Sequence, residues 1–102
     1  MTDPYLYGMN LNSTFIAKEY MYSSFEQRLS LIRGLMDSRD CHINNNMIEI
    51  IQIEKVLSYQ IYELLLSLGI KANIYKKNNK YHIKYITDLP ICKTLTKLVE
   101  LT

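Results

Sequence analysis

The chain has 102 residues, which is enough for one domain with a single modest core. Hydrophobic residues make up 48% and charged residues 22%, and Lys or Arg interrupts every apolar run before the ~18 residues of a membrane span. The N-terminus has no basic region followed by an apolar one, so no secretory signal is predicted. Cys41 and Cys92 are too few for a disulfide framework or a zinc site. We therefore expect an intracellular protein without a membrane partner.

The net charge of +2 is unevenly distributed. Residues 1–69 carry five Lys or Arg against eight Asp or Glu, whereas residues 70–102 carry seven Lys against two acids. A basic segment of this kind is typical of a protein that binds a polyanion. The C-terminal third of the chain is therefore where we expect a polyanionic partner to bind.

The N-terminal segment predicts a short helix followed by a connector. Pro4 suits the first turn of a helix over residues 4–12, and Asp3 suits its cap. Residues 13–22 show no clear periodicity, so we expect an irregular connector there.

A longer helix is predicted over residues 24–37. It follows the sequence "SSFE", in which Ser23 and Glu26 have the spacing of a capping box. Apolar residues then recur at helical intervals along one face. Gly34 lies in the middle of this helix, where glycine costs about 1 kcal/mol relative to alanine, so a close packing contact is expected there.

Two β-hairpins and two further helices follow. Three consecutive Asn at residues 44–46 predict the turn of a first hairpin, and Asn78–Asn79 predict the turn of a second. A helix over residues 54–68, ended by Gly69, separates the hairpins, and another helix is predicted over residues 88–102. This order indicates an α+β fold in which helices cover one face of a four-stranded antiparallel sheet.

Alternation in the second hairpin separates an apolar face from a basic, polar face. The polar face combines Lys71, Asn73, Tyr75, Lys77, His82 and Lys84. We expect no carboxylate near these side chains. A two-stranded ribbon fits the major groove of duplex DNA, where Lys contacts phosphates or guanine and Asn reads adenine. DNA binding is therefore predicted for this face, and an ordinary solvated face is the alternative.

Two stretches resemble the LAGLIDADG (dodecapeptide) homing endonucleases found within inteins: "FIAKEYMYSSFEQRLSLIRGLMDSRD" and "LLLSLGIKANIYKKNNKYHIKYIT". The resemblance covers roughly residues 15–86, and it implies an αββαββα domain, in agreement with the predicted element order. At the N-terminus, "DPYLYGMNLNS" resembles the first dodecapeptide motif of these enzymes. The resemblance therefore implies a remnant of a first motif in residues 1–14 and a single LAGLIDADG-like domain in residues 15–102.

The resemblance also implies a helix-pairing interface. In this family two motif helices pack side by side, and their glycines allow the backbones to approach. For this chain the interface would contain Gly34 with Leu31 and Leu35. Its partner would be Gly8 of the same chain, a second copy that forms a homodimer, or another protein.

Each motif of the family ends in an acidic residue that holds a divalent metal for phosphodiester hydrolysis. When the chain is aligned on the two motif glycines, these positions fall on Ser13 and Arg39. Asp37 matches an acid that ends the helix, and Asp40 lies one position too far along, so both are weak candidates. The resemblance therefore implies no metal, no other cofactor and no catalytic residue, with Mg²⁺ needed only if cleavage activity survives.

Three functions remain open. The domain could bind double-stranded DNA without cleaving it, with Arg39 pairing with a phosphate where the metal would otherwise be. It could be a structural or protein-interaction subunit built on an endonuclease fold. It could also be a metal-dependent endonuclease that uses Asp40.

Overall fold

The computed structural model describes residues 1–39, 41–44 and 47–86. These residues form four helices and four strands, an α+β fold as predicted. The helices are α1 (Pro4–Met9), α2 (Lys18–Met21), α3 (Phe25–Ser38) and α4 (Lys55–Ser67), and the strands are β1 (Cys41–Asn44), β2 (Met47–Gln52), β3 (Ala72–Lys77) and β4 (Lys80–Ile86). The helix predicted over residues 88–102 lies outside the described residues. Within the described part, no helix is long and apolar enough to span a membrane.

The two hairpins join into one antiparallel sheet with the strand order β1-β2-β4-β3. The central pair is β2 with β4, in which Ile50 faces Ile83. In the second hairpin, Asn78 and Asn79 have φ angles of 53° and 62°. Two consecutive residues with positive φ produce the tight turn that matches the twist of the strands, and Asn tolerates that conformation. The predicted single four-stranded sheet is therefore confirmed.

One face of the sheet forms the core together with α3 and α4. The central strands contribute Ile48, Ile50, Ile83 and Tyr85, which are at most 3% exposed. The helices contribute to the same cluster Leu29, Leu31, Ile32, Leu35, Met36, Leu57, Ile61, Leu64 and Leu65. Because these residues form one cluster, both helices lie on the same side of the sheet, as predicted. Helices α3 and α4 leave the opposite face of the sheet uncovered.

The capping box of α3 begins one residue later than predicted. Ser24 Oγ accepts a hydrogen bond from the Gln27 N–H at 3.2 Å, and Gln27 Oε1 accepts one from the Ser24 N–H at 3.1 Å. Ser23 instead donates to the carbonyl oxygen of Tyr20 at 2.7 Å, so it closes the preceding turn. The predicted pair, Ser23 and Glu26, and the observed pair, Ser24 and Gln27, both have the three-residue spacing of a capping box. Ser24 forms the cap because the Ser23 side chain is bonded within the preceding turn.

The prediction of an irregular connector over residues 13–22 is wrong in part, because α2 forms one helical turn there. Tyr20 of this turn is buried and stacks on Tyr7 of α1, with ring centroids 3.6 Å apart. The Gln60 side chain of α4 bonds both the N–H and the carbonyl oxygen of Ile16, at 2.6 and 3.0 Å. A single turn is unstable alone, so these tertiary contacts stabilise it where periodicity gives no signal.

Helices α1 and α3 touch through their backbones. A Cβ placed on Gly8 would lie 2.5 Å from the Leu31 carbonyl oxygen and 3.0 Å from the Leu35 nitrogen. A Cβ placed on Gly34 would overlap the carbonyl oxygen of Tyr5. Glycine is therefore required on both sides of this contact. The structure thus places Gly34 against Gly8 of the same chain, and Leu31 and Leu35 are fully buried.

Replacing Gly34 by Ala should destabilise the domain. Overpacking costs about 1–3 kcal/mol, which outweighs the gain of about 1 kcal/mol in helix propensity. The free energy of unfolding in urea measures the difference. The combined Gly8→Ala and Gly34→Ala variant should lose less than the sum of the single changes, because both act on one contact.

Gly69→Ala provides the matched control for that measurement. Gly69 has φ +81° and no neighbour within 4 Å of an added Cβ, so only the left-handed conformation is penalised. In a variant that carries both Gly69→Ala and Gly34→Ala, the losses in the free energy of unfolding should therefore add. A Gly34→Ala variant that is as stable as the parent or more stable would contradict the close contact.

Candidate nucleic-acid interface

The C-terminal ends of α1 and α3 meet at Arg39. Its guanidinium donates to the carbonyl oxygen of Leu11 at 3.4 Å and to Ser38 Oγ at 3.0 Å. Ser38 Oγ in turn lies 3.4 Å from the carbonyl oxygen of Gly8 and 3.1 Å from that of Leu35. Carbonyl groups at helix C-termini carry partial negative charge. Arg39 therefore places a cation where it is favoured, between the two helix ends.

The residues at the positions implied for metal ligands do not fit a divalent metal. Arg39 has no lone pair to donate, and its charge repels another cation. Burial lowers the pKa of Arg39 from its ordinary value, but a guanidinium remains charged. Ser13 is engaged nearby, since its Oγ donates to the carbonyl oxygen of Phe15 at 2.6 Å.

The two aspartates considered as weak candidates have different outcomes. Asp37 accepts a hydrogen bond of 2.6 Å from the Tyr5 hydroxyl, which joins α3 to α1. This bond, with burial and the charge of Asp37, raises the pKa of Tyr5. Asp40 lies outside the described residues. Among the residues that are described, no group of three His, Cys, Asp or Glu could hold a metal.

The face of the sheet opposite the core carries rows of polar side chains. One row runs across all four strands through successive Cα partners: His42, Glu49, Lys84 and Asn73. The adjacent row on three strands contains Ile51, His82 and Tyr75, and Lys77 pairs with Lys80 beyond it. The structure therefore gathers Asn73, Tyr75, Lys77, His82 and Lys84 on one face, which we call the outer face. Arg39, which was also predicted to contact DNA, lies instead at the ends of α1 and α3. Lys71 precedes β3 and is exposed.

The expectation that no carboxylate lies near these side chains is wrong. Glu49 Oε2 lies 3.1 Å from the Tyr75 hydroxyl, 3.2 Å from His82 Nδ1 and 3.8 Å from Lys84 Nζ. Glu49 comes from the first hairpin, and it reaches the second because β2 pairs with β4. We call these four residues the Glu49 cluster. Glu49 was not among the predicted site residues, although the alternation of "MIEIIQ" places it on the face opposite Ile48 and Ile50.

Contacts around Glu49 hold the centre of the outer face in place. The rings of Tyr75 and His82 stack with centroids 4.9 Å apart and planes 7° apart, and Lys84 Nζ lies 5.4 Å from the Tyr75 centroid. Burial by itself would raise the pKa of Glu49, but the bonds to His82 and Tyr75 and the charge of Lys84 together lower it. Glu49 is therefore ionised at neutral pH.

The remaining lysines of the outer face are available to a partner. Across residues 1–39, 41–44 and 47–86, neither Lys77 nor Lys80 forms an ion pair, and the same holds for Lys71 at the edge of the face. All three side chains are exposed. The outer face thus combines a fixed central cluster with free positive charge around it.

Glu49→Gln should change the response of the domain to acid. A carboxylate with a lowered pKa stabilises the fold above its ordinary pKa, and this contribution is lost as pH falls through the lowered value. The parent should therefore lose more stability than Glu49→Gln between about pH 5 and pH 3, measured by urea unfolding. At neutral pH the variant should lose at most about 1 kcal/mol. Glu63→Gln, at an exposed position of α4, is the control, and identical acid profiles for Glu49→Gln and the parent would contradict the assigned network.

A family model described as a LAGLIDADG-like domain matches residues 26–98. The match covers α3, the whole sheet and α4, and it begins after Gly8 of α1. The α+β fold with helices on one face of an antiparallel sheet agrees with that match. This chain belongs to the LAGLIDADG-like domain family, and it has a fold of the homing-endonuclease type. No curated protein and no solved structure matches the chain.

Proposed function

We propose that this domain binds double-stranded DNA through the outer face of its sheet and does not cleave it. The observation that carries the proposal is the positive charge of Lys71, Lys77 and Lys80, which are exposed and form no ion pair among the described residues, beside the Glu49 cluster on the face that α3 and α4 leave uncovered. Exposed lysines that form no ion pair in the described part of the chain are suited to a polyanion. The family to which the chain belongs favours DNA among the possible polyanions.

The shape of the outer face supports the same partner. Neighbouring strands lie about 4.8 Å apart, so the ribbon of β3 and β4 is narrower than the ~12 Å major groove of B-DNA. Lysines around such a ribbon can contact phosphates and position the protein on the duplex. Side chains in its centre would then face the edges of the base pairs.

Arg39 supports the absence of cleavage. Metal-assisted hydrolysis needs ligands that attract a divalent cation, whereas Arg39 places a cation between the two helix ends. The same residue lines a surface groove with Asn12, Ser13 and Thr14, which a phosphate oxygen could enter. We therefore propose that Arg39 contributes affinity for the DNA backbone and that the domain uses no metal cofactor.

The protein-interaction alternative loses its structural support in the described residues. It required an exposed apolar surface around Gly34, but α1 covers this surface and Leu31 and Leu35 are fully buried. A second copy or another protein could pair with α3 at this surface only by displacing α1. The outer face of the sheet, by contrast, is not covered by α3 or α4.

Salt titration of DNA binding tests the proposed interface. The parent should bind duplex DNA, and log K should fall linearly as log salt rises, because lysines displace counterions from phosphates. Lys77→Ala should weaken binding to all sequences alike and reduce the slope by about 0.9. Fluorescence anisotropy with a labelled duplex measures both quantities.

Lys18→Ala is the matched control for this titration. Lys18 is also exposed but belongs to α2, away from the strands, so its loss should leave the slope unchanged. Equal slopes for Lys77→Ala and the parent would show that the outer face does not contact phosphates. A parent that binds no duplex even at low salt would overturn the proposed function.

The absence of cleavage is tested with supercoiled plasmid and Mg²⁺. The parent should produce no nicked or linear product, because the position implied for a metal ligand on α3 carries Arg39. Nicking by purified parent that disappears in Asp40→Ala would establish the endonuclease alternative instead. The same assay with EDTA shows whether any nicking depends on metal.

A further inference from the structure

We infer that Glu49 reads a C·G base pair in the major groove. This inference rests on the proposed DNA binding and names what the centre of the outer face would recognise. Glu49 is the only acidic residue in the four described strands. It lies at the centre of the sheet, in a row with His42, Lys84 and Asn73.

The presence of a carboxylate in the middle of a DNA-binding face requires a physical explanation. Its negative charge repels phosphates, so a purely electrostatic interface is better without it. Glu49 is also held in position, because its side chain is only 21% exposed and its Oε2 atom takes all three contacts of the cluster. In the described part of the chain, Oε1 forms no hydrogen bond or ion pair, so this atom can accept a hydrogen bond from a ligand.

The major groove offers two kinds of hydrogen-bond donor, the N4 amino group of cytosine and the N6 amino group of adenine. Adenine carries the N7 lone pair next to N6, which repels a carboxylate oxygen. Cytosine carries only C5–H next to N4, so the carboxylate can approach. An ionised Glu49 therefore selects cytosine over adenine.

Lys84 strengthens this selection because it presents a donor next to the Glu49 acceptor. Its Nζ lies 3.8 Å from Glu49 Oε2. In a C·G pair, guanine O6 lies beside cytosine N4, and guanine N7 adds a second acceptor for a lysine. In an A·T pair, the acceptor beside adenine N6 is thymine O4, which is flanked by a methyl group instead. The carboxylate acceptor of Glu49 and the ammonium donor of Lys84 lie side by side, so together they match a C·G base pair better than an A·T base pair.

Tyr75 and His82 act in this arrangement as positioning residues. Both contact Glu49 Oε2, and their stacked rings fix each other. They occupy Oε2, which leaves Oε1 to accept the hydrogen bond from the base. Their role is to restrict the direction in which the carboxylate accepts, while Lys77 and Lys80 supply affinity without selectivity.

Selection from a pool of duplexes with randomised base pairs tests the inference. The parent should enrich C·G at one position. Glu49→Gln should change that position to A·T, because an amide offers a donor for adenine N7 as well as an acceptor for N6. The relative affinity for the C·G and A·T duplexes should change by about five- to 150-fold. Glu49→Ala should lose the preference without acquiring a new one, and the other positions should remain unchanged.

Two further variants distinguish the preference for a base pair from the affinity for any duplex. Tyr75→Phe removes one donor from Glu49 Oε2, so it should broaden the preference at the same position and leave the salt slope intact. Lys77→Ala should reduce the slope and leave the preference intact. Glu63→Gln, outside the sheet, should alter neither.

The failures of the inference and of the proposed function are distinguishable. A parent that binds no duplex overturns both. A parent that binds with the expected salt slope but shows no C·G preference, or the same preference as Glu49→Gln and Glu49→Ala, overturns only the role of Glu49.

Discussion

The backbone contact between α1 and α3 is the constraint on which the rest of the domain depends. Gly8 and Gly34 remove the side chains that would keep the helices apart, and Leu31 and Leu35 are then buried beneath α1. A helix of six residues does not form alone. Its stability comes from this contact, from the Asp3 cap and from the bond between Tyr5 and Asp37.

That contact also brings the C-terminal ends of α1 and α3 together around Arg39. Because the C-terminal ends of α1 and α3 lie together, Arg39 can donate to Leu11 of the segment that follows α1 while it remains attached to α3. The partial negative charge of two helix ends stabilises one cation there. In the proposed function, the pairing of helices that resembles an endonuclease is retained, and the attraction for a metal is replaced by attraction for a phosphate.

In the proposed function, the outer face of the sheet divides its charges between two tasks. Lys71, Lys77 and Lys80 are exposed and form no ion pair among the described residues, so their contribution to binding should depend on salt. The Glu49 cluster is bonded internally and partly buried, so it can hold one direction of hydrogen bonding. Affinity and selectivity would therefore respond to different substitutions.

Local signals in the sequence were enough to predict several elements. The helical spacing of apolar residues predicted α3 and α4 to within one or two residues, Asn78–Asn79 predicted the second hairpin, and Gly69 with φ +81° ends α4 as expected. The motif around Gly34 indicated the family, because glycine and the residues near it are constrained by backbone contact. Each of these signals depends on residues that are close together in the chain.

Contacts between distant parts of the chain determine which elements become neighbours. The turn of α2 exists because Tyr20 and Ile16 find partners in α1 and α4, and Ser24 caps α3 because Ser23 is used by the preceding turn. Glu49 shows the limit most clearly. Its position in β2 predicts that it points away from the core, but its contact with Tyr75, His82 and Lys84 requires the pairing of β2 with β4. That pairing brings Glu49 beside Lys84, which lies 35 residues further along the chain, and the two-residue period of a strand carries no information about which strand lies beside it.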